Sequence, residues 1–82
     1  MASDLEAKVV AVVADLSCRD AEFISHDDKL VEDLDLDSLE MVNLAHEVED
    51  VFDVEVKDDD IRMNMTVGEL IAAVEKLVAA SN

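Results

Sequence analysis

Apolar residues recur with a helical period in three places along the chain. Leu5, Val9, Val12, Val13 and Leu16 form one stripe. Met41, Leu44, Ala45, Val48, Val51 and Phe52 share a second, broader face. Val67, Leu70, Ile71, Val74, Leu77 and Val78 repeat at spacings of three and four. Each stripe predicts an amphipathic helix whose apolar side turns to a common core. Each predicted helix also has a start signal. Ser3 with Glu6, and Thr66 with Glu69, have the spacing of a capping box, in which two side chains satisfy each other's orphaned amides. Asp37 with Glu40 has the same spacing, with aspartate as the N-cap. One Gly and no Pro leave turn signals scarce, and hairpin signals are absent. There is no internal repeat and no low-complexity segment.

Between the first two stripes, Ser17 to Leu36 has no convincing period and is long for a plain loop. Phe23, Ile24, Leu30, Val31 and Leu34 are the residues expected to pin it to the helices. A short acidic stretch, Asp58 to Arg62, predicts a minor helix before Thr66. The expectation is an all-α fold: a small four-helix bundle with three longer helices, one short third helix and a long first loop. At 82 residues it forms a single domain, 1–82, whose core can supply only modest stability.

Projecting the middle helix at about 100° per residue puts its core-facing centre near Val48, flanked by Leu44 and Phe52. Leu39 falls on the opposite side with Asn43, His46 and Asp50, and Val42 lies at the boundary. A single exposed leucine needs no explanation. One beside a serine and ringed by carboxylates suggests a docking surface, apolar for affinity and acidic for steering. Ser38 then raises a question. If Asp37 caps the helix, the Ser38 hydroxyl is free at the first helical position. If Ser38 itself caps, Met41 three residues on cannot complete a box. The residues leave both arrangements open.

Composition sharpens the picture in two ways. The apolar half is mostly Val, Leu and Ala, with four Met, no Trp or Tyr, and only Phe23 and Phe52 as aromatics, which predicts a soft core. The net charge is −16, and residues 31–60 alone carry 13 acids against one base, Lys57. Such an excess repels nucleic acid and anionic membranes and steers the chain toward basic partners. No apolar run approaches the ~20 residues of a membrane span, and MASDLEAK lacks the basic and apolar parts of a signal peptide. Cys18 is the only cysteine, so no internal disulfide forms and a reducing, cytoplasmic setting is expected.

Several chemistries are set aside on spacing. Asp33, Asp35 and Asp37 alternate as in a calcium loop, but that loop needs Gly at its sixth position and Glu at its twelfth. Counting from Asp33 gives Ser38 and Leu44; counting from Asp35 gives Glu40 and His46. No dedicated metal site is expected, only diffuse divalent-cation binding by the carboxylates. His26 and His46 could join Ser38 in a hydrolytic set, yet no strained nucleophile turn, oxyanion loop or phosphate cradle is present, because the only glycine, Gly68, lies in the last helix. Cys18 reads as a filler. The chain is expected not to be an enzyme.

Asp37-Ser38-Leu39 at a helix start, with Leu30-Val31-Glu32-Asp33-Leu34 upstream, resembles the acyl carrier proteins. The similarity continues through Glu47 to Val56, the acidic turn and Thr66-Val67-Gly68-Glu69-Leu70, most closely over residues 30–78. The three-residue motif alone is weak; with the flanking segments in register it is strong. The resemblance implies that Ser38 carries 4′-phosphopantetheine as a phosphodiester, transferred from coenzyme A by a phosphopantetheinyl transferase, and that the arm's thiol holds acyl groups as thioesters. It implies acyl-transferring and chain-modifying partner enzymes whose basic patches dock on the acidic second helix, for which Asp37, Leu39, Glu40, Glu47, Glu49 and Asp50 are the candidates. It also implies an acyl chain sheltered within the bundle, with Leu44, Val48, Ile61, Met65 and Leu70 as candidate lining, although each is equally an ordinary core residue. No nucleic acid, membrane insertion or oligomer beyond a monomer is implied. Fatty-acid or lipid biosynthesis leads as the pathway, a specialised polyketide-type pathway follows, and aminoacyl or peptidyl carriers come third. A non-covalent acidic interaction module, or a domain tuned by divalent ions, is the rival from another class. The chain departs from the family pattern at Asp35, where many members have Gly, at His46, usually apolar in fatty-acid carriers, and at Met63-Asn64-Met65.

Overall fold

The three periodic segments are helices in the computed structural model, which describes residues 4–57 and 59–80. They are α1 (Asp4–Ser17), α2 (Ser38–Phe52) and α3 (Val67–Ala80), with a single 3₁₀ turn, Ala21–Phe23, between the first two. α1 packs against both α2 and α3. Val9 and Val13 of α1, Leu44 and Val48 of α2, and Val67, Leu70 and Val74 of α3 meet in the centre with no accessible surface. Burying one such side chain is worth about 1.5–3 kcal/mol. An exposed ion pair such as Lys29–Glu32 contributes about 0–1 kcal/mol. The apolar stripes therefore hold the fold, and the charges decorate it.

The long first loop is built into that core. Leu30, Leu34 and Leu36 are buried, as is Met65 from the segment before α3. An antiparallel bridge joins Lys29 to Thr66, and backbone bonds flank it: Leu30 N–H to Met65 O (3.1 Å), Val67 N–H to Asp28 O and Gly68 N–H to His26 O (both 2.9 Å). The two loops thus satisfy each other's peptide groups where no helix can. Ile24 and Val31 pack against the core as expected.

α3 opens with the predicted box. Thr66 Oγ1 accepts Glu69 N–H at 3.2 Å, and Glu69 Oε1 accepts Thr66 N–H at 2.9 Å. The Ser3–Glu6 box of α1 involves Ser3, which lies outside the described residues. Chain reversals follow α1 and α2 without glycine: Cys18 and Asp53 take left-handed φ values of 58° and 54°. Arg19 N–H returns to Ala14 O, and Val54 N–H to Glu49 O, the bonds of a Schellman C-cap.

Three expectations need correction. The short helix at 58–62 is not seen: Asp58 is outside the described residues, Asp59 and Asp60 form a turn, Ile61 a bend, and Arg62 is irregular. Lys57 N–H is taken by the Asp60 carboxylate (2.8 Å) and Asp60 N–H by Lys57 O (2.9 Å), so the side chain offers the backbone a local alternative to helix. Five residues gain too few intrahelical bonds to offset nucleation. The described chain is all-α with three α-helices. Phe23 does not pin the loop; at 72% exposure it projects from the 3₁₀ turn while Ile24 turns inward. Val51, assigned to the apolar face of α2, is 41% exposed, because the core contact narrows to the Leu44–Val48 line toward that helix's end.

Candidate functional site

The start of α2 is fixed by Asp37. Its backbone is extended (φ −92°, ψ −179°), its Oδ1 accepts Glu40 N–H at 2.8 Å, and Glu40 Oε1 accepts Asp37 N–H at 3.3 Å. Met41 N–H then makes the first helical bond to Asp37 O at 2.9 Å. The box is complete without Ser38, which settles the question the sequence left open. Ser38 is the first residue of the helix, exposed, and its hydroxyl makes no hydrogen bond among the described residues. The capping box takes the amides of Asp37 and Glu40. Those of Ser38 and Leu39 stay available at the positive end of the helix dipole, where an anion is favoured. A phosphodiester on the Ser38 oxygen fits this environment.

Upstream, the chain is held at each step toward Ser38. Leu36 is buried at 1% exposure and donates its N–H to Leu30 O at 3.1 Å. Asp35, with φ 58°, donates to Val31 O at 3.1 Å. The three alternating aspartates do not converge. Asp33 accepts Lys29 N–H at 2.7 Å, Asp35 pairs with Arg19 at 3.6 Å, and Asp37 caps. Among the described residues no cluster of three or more His, Cys, Asp or Glu could hold a metal ion. Neither histidine reaches Ser38. His26 pairs with Glu6 at 2.6 Å, and His46 lies about 12 Å further along the helix axis.

The docking candidates divide into two groups. Leu39 is 69% exposed and Val42 51%, and Glu47 and Asp50 are exposed on the same helix. Asp37 and Glu40 spend their carboxylates on each other's amides. Glu49 is half-buried, and its Oε2 accepts Val56 N–H at 2.9 Å. It straps the chain after α2 back onto the helix. That bond spans seven residues across a reversal, a separation without a local sequence signal.

The lining candidates also separate. Leu44, Val48 and Leu70 have no accessible surface and belong to the core. Ile61 lines a groove of ≈ 170 Å³ with Met41, Val42, Ala45, Val56 and Met63. Met65 borders a different hollow of ≈ 360 Å³, with Arg62, Glu69, Ala73 and Lys76. Sequence reasoning missed Met41 and Val42 as lining, although they stand one helical turn beyond Ser38.

The family model for the phosphopantetheine attachment site matches residues 7–74. The chain is 34% identical over 76 residues to an acyl carrier protein of Rhodococcus erythropolis, covering 93% of this chain and 84% of that one. It is 32% identical over 75 residues to an acyl carrier protein of Akkermansia muciniphila, covering 92% and 94%. A meromycolate extension acyl carrier protein of Mycobacterium tuberculosis is 31% identical over 74 residues, which are 90% of this chain and 64% of that protein.

Proposed function

This chain belongs to the acyl carrier protein family, and from that premise we propose that Ser38 is the residue that bears its 4′-phosphopantetheine. One observation carries the assignment: the Asp37–Glu40 box starts α2 and leaves the Ser38 hydroxyl exposed and unbonded at the first helical position. A phosphopantetheinyl transferase needs such a hydroxyl. The Ser38 oxygen attacks the phosphorus of coenzyme A that carries the pantetheine, a P–O bond of the pyrophosphate breaks, and the nucleotide leaves with the electron pair. The hydroxyl proton passes to a base of the transferase. Bound there, the arm supplies a thiol that carries acyl groups as thioesters. The chain's own residues present it: Asp37 fixes the helix start, and the Ser38 and Leu39 amides face the new phosphodiester.

Partner enzymes with basic patches dock on α2 through Leu39 and Val42, with Glu47 and Asp50 steering the approach. The groove of Met41, Val42, Ala45, Val56, Ile61 and Met63, whose lining also includes Lys57, supports a sheltering role for it, as the place where an acyl chain leaves solvent. To admit a chain deeper, Leu44, Val48 and Leu70 must part. The chain serves as one monomeric carrier domain over 1–82, a substrate of other enzymes and not a catalyst, in fatty-acid or lipid synthesis in the cytoplasm. The meromycolate-extension relatives favour that pathway over a polyketide one. No described helix is long and apolar enough to cross a membrane.

The test is the intact mass after incubation with coenzyme A and a broad-specificity transferase. One added phosphopantetheine on the wild type and none on Ser38→Ala is the expected result. An unchanged wild-type mass, with a transferase from the same source as well, would leave Ser38 as an unmodified surface residue.

A further inference from the structure

Two residues before the cap of α2, the backbone takes a conformation that L-residues other than Asn and Asp seldom adopt. Asp35 has φ 58°. Its neighbours tie the turn down on either side: Leu36 is buried, and the amides of Asp35 and Leu36 are bonded to Val31 O and Leu30 O, both at 3.1 Å. The left-handed residue therefore sets the direction in which the chain leaves the loop and the register at which Asp37 meets α2. One side chain from another part of the fold reaches this turn. Arg19, just past α1, places Nη2 at 3.6 Å from Asp35 Oδ2 and donates to the carbonyl of Asp33 at 3.3 Å. It thus grips the strained residue by its side chain and the preceding strap by its backbone.

We propose that Arg19 is a positioning residue for Ser38: it holds Asp35 in the left-handed state and so keeps the Asp37–Ser38 turn in the form that a transferase recognises. The inference rests on Ser38 being the modified residue. Arg19 touches neither Ser38 nor the incoming group. Its effect is on the fraction of molecules whose turn is competent, and a reduced competent fraction weakens apparent binding in proportion. An exposed, bifurcated guanidinium contact of this kind shifts such an equilibrium by about two- to five-fold. A residue that adopts positive φ freely removes the need for it, so Asp35→Gly makes Arg19 dispensable.

The experiment measures transferase kcat and KM at low ionic strength for the wild type, Arg19→Ala, Arg19→Lys, Asp35→Gly and the Arg19→Ala, Asp35→Gly pair. Amide exchange at Asp35 and Leu36 is followed on the same proteins. Arg19→Ala is expected to speed both exchanges by about two- to five-fold and to raise KM, with kcat unchanged, by the smaller factor by which the competent fraction falls. Arg19→Lys restores part of KM, and the paired variant matches Asp35→Gly alone. A KM unaffected by Arg19→Ala, or the same loss with Gly at 35, overturns the proposal. If even the wild type takes no phosphopantetheine, the Ser38 assignment fails first. The exchange rates then decide the Arg19 grip: acceleration relieved by Asp35→Gly supports it, and unchanged rates refute it.

Discussion

The Oε2 of Glu49 lies 2.9 Å from the backbone nitrogen of Val56, on the half-buried flank of α2. Glu47, two residues earlier, is exposed, and its carboxylate accepts no backbone N–H among the described residues. The two glutamates sit in one acidic run but do different work. Glu49→Gln keeps an acceptor at reduced strength, whereas Glu49→Lys leaves the Val56 amide unpaired and puts a cation against it. Glu49→Lys is expected to lower unfolding stability by about 1 kcal/mol, and Glu47→Lys to change it by less than about 0.5 kcal/mol. Urea unfolding read by circular dichroism checks both. In the transferase assay the order reverses in meaning: slowing by Glu47→Lys reports docking, while slowing by Glu49→Lys mixes docking with a loosened loop.

The cap at Asp37 gives the second prediction. Its carboxylate satisfies Glu40 N–H at 2.8 Å, so Asp37→Ala is expected to destabilise by about 1 kcal/mol, and Asp37→Asn by only a few tenths, because both Asp and Asn cap well. The modification rate should follow the same order if the cap's contribution is to hold Ser38 at the first helical position. A rate lost equally in Asn and Ala variants would assign the carboxylate charge, and not the cap, to recognition by the transferase.

These positions show which parts of the molecule a sequence announces. The three helices were legible because their stabilisation is local and periodic: Val9, Val48 and Val74 sit where a 3.6-residue period places them. The Asp37–Glu40 and Thr66–Glu69 boxes were legible for the same reason, each closing over three residues. Ser38 stands out in the sequence through the Asp37-Ser38-Leu39 motif, whereas the residues alone leave the cap to either Asp37 or Ser38 and the structure gives it to Asp37. What was not legible depends on contacts between distant segments. The Leu30–Met65 and Gly68–His26 backbone bonds, the Glu49 strap and the Arg19 reach to Asp35 have no periodic signature. Phe23 was misassigned because hydrophobicity alone does not say which side of a 3₁₀ turn meets the core. Left-handed caps at Cys18 and Asp53 were hidden because neither is glycine.

Those caps make a third prediction. A β-carbon at positive φ is strained by roughly 1–2 kcal/mol, less for Asp, whose side chain suits that region. Glycine removes the strain but adds freedom to the unfolded chain, which offsets about half of the gain. Cys18→Gly is expected to stabilise the fold by about 0.5–1 kcal/mol, and Asp53→Gly by less. Thermal melts of the two variants test the ranking. Loss of stability in Cys18→Gly would mean that the thiol, although exposed, contributes packing that outweighs the strain.

Gly68 is the opposite case, a glycine whose small size matters for proximity and not for φ. A β-carbon there would lie 3.3 Å from His26 O and 3.5 Å from His26 Cβ, and the same carbonyl accepts Gly68 N–H at 2.9 Å. Gly68→Ala gains up to about 1 kcal/mol of helix propensity against this crowding, and is expected to be close to neutral. Gly68→Val cannot fit without displacing the loop and should destabilise by about 1–3 kcal/mol. Because His26 also holds Glu6 of α1, the larger variant should speed amide exchange at Val67 and Gly68 before global unfolding. Equal stability of the two variants would show that the loop can yield at little expense.

The last prediction uses the charge. Thirteen acids lie within residues 31–60 of a chain with net charge −16, so self-repulsion opposes the folded state. Screening acts at range: the Debye length falls from about 30 Å at 0.01 M salt to about 8 Å at 0.15 M. The melting temperature should therefore rise with monovalent salt, steeply at first and little beyond about 0.15 M. Since the described carboxylates do not gather into a metal cluster, magnesium should act as a stronger screening ion, with a graded titration and no stoichiometric break. Docking responds in the other direction. If basic partners approach the acidic face of α2 through Glu47 and Asp50, the same salt that stabilises the carrier must slow its modification. Transferase kcat/KM is expected to fall over the range in which the melting temperature climbs. A carrier that becomes more stable and yet a poorer substrate cannot be losing activity through unfolding, so the opposed signs isolate the electrostatic contribution to recognition. Parallel slopes would remove α2's charge from the docking face.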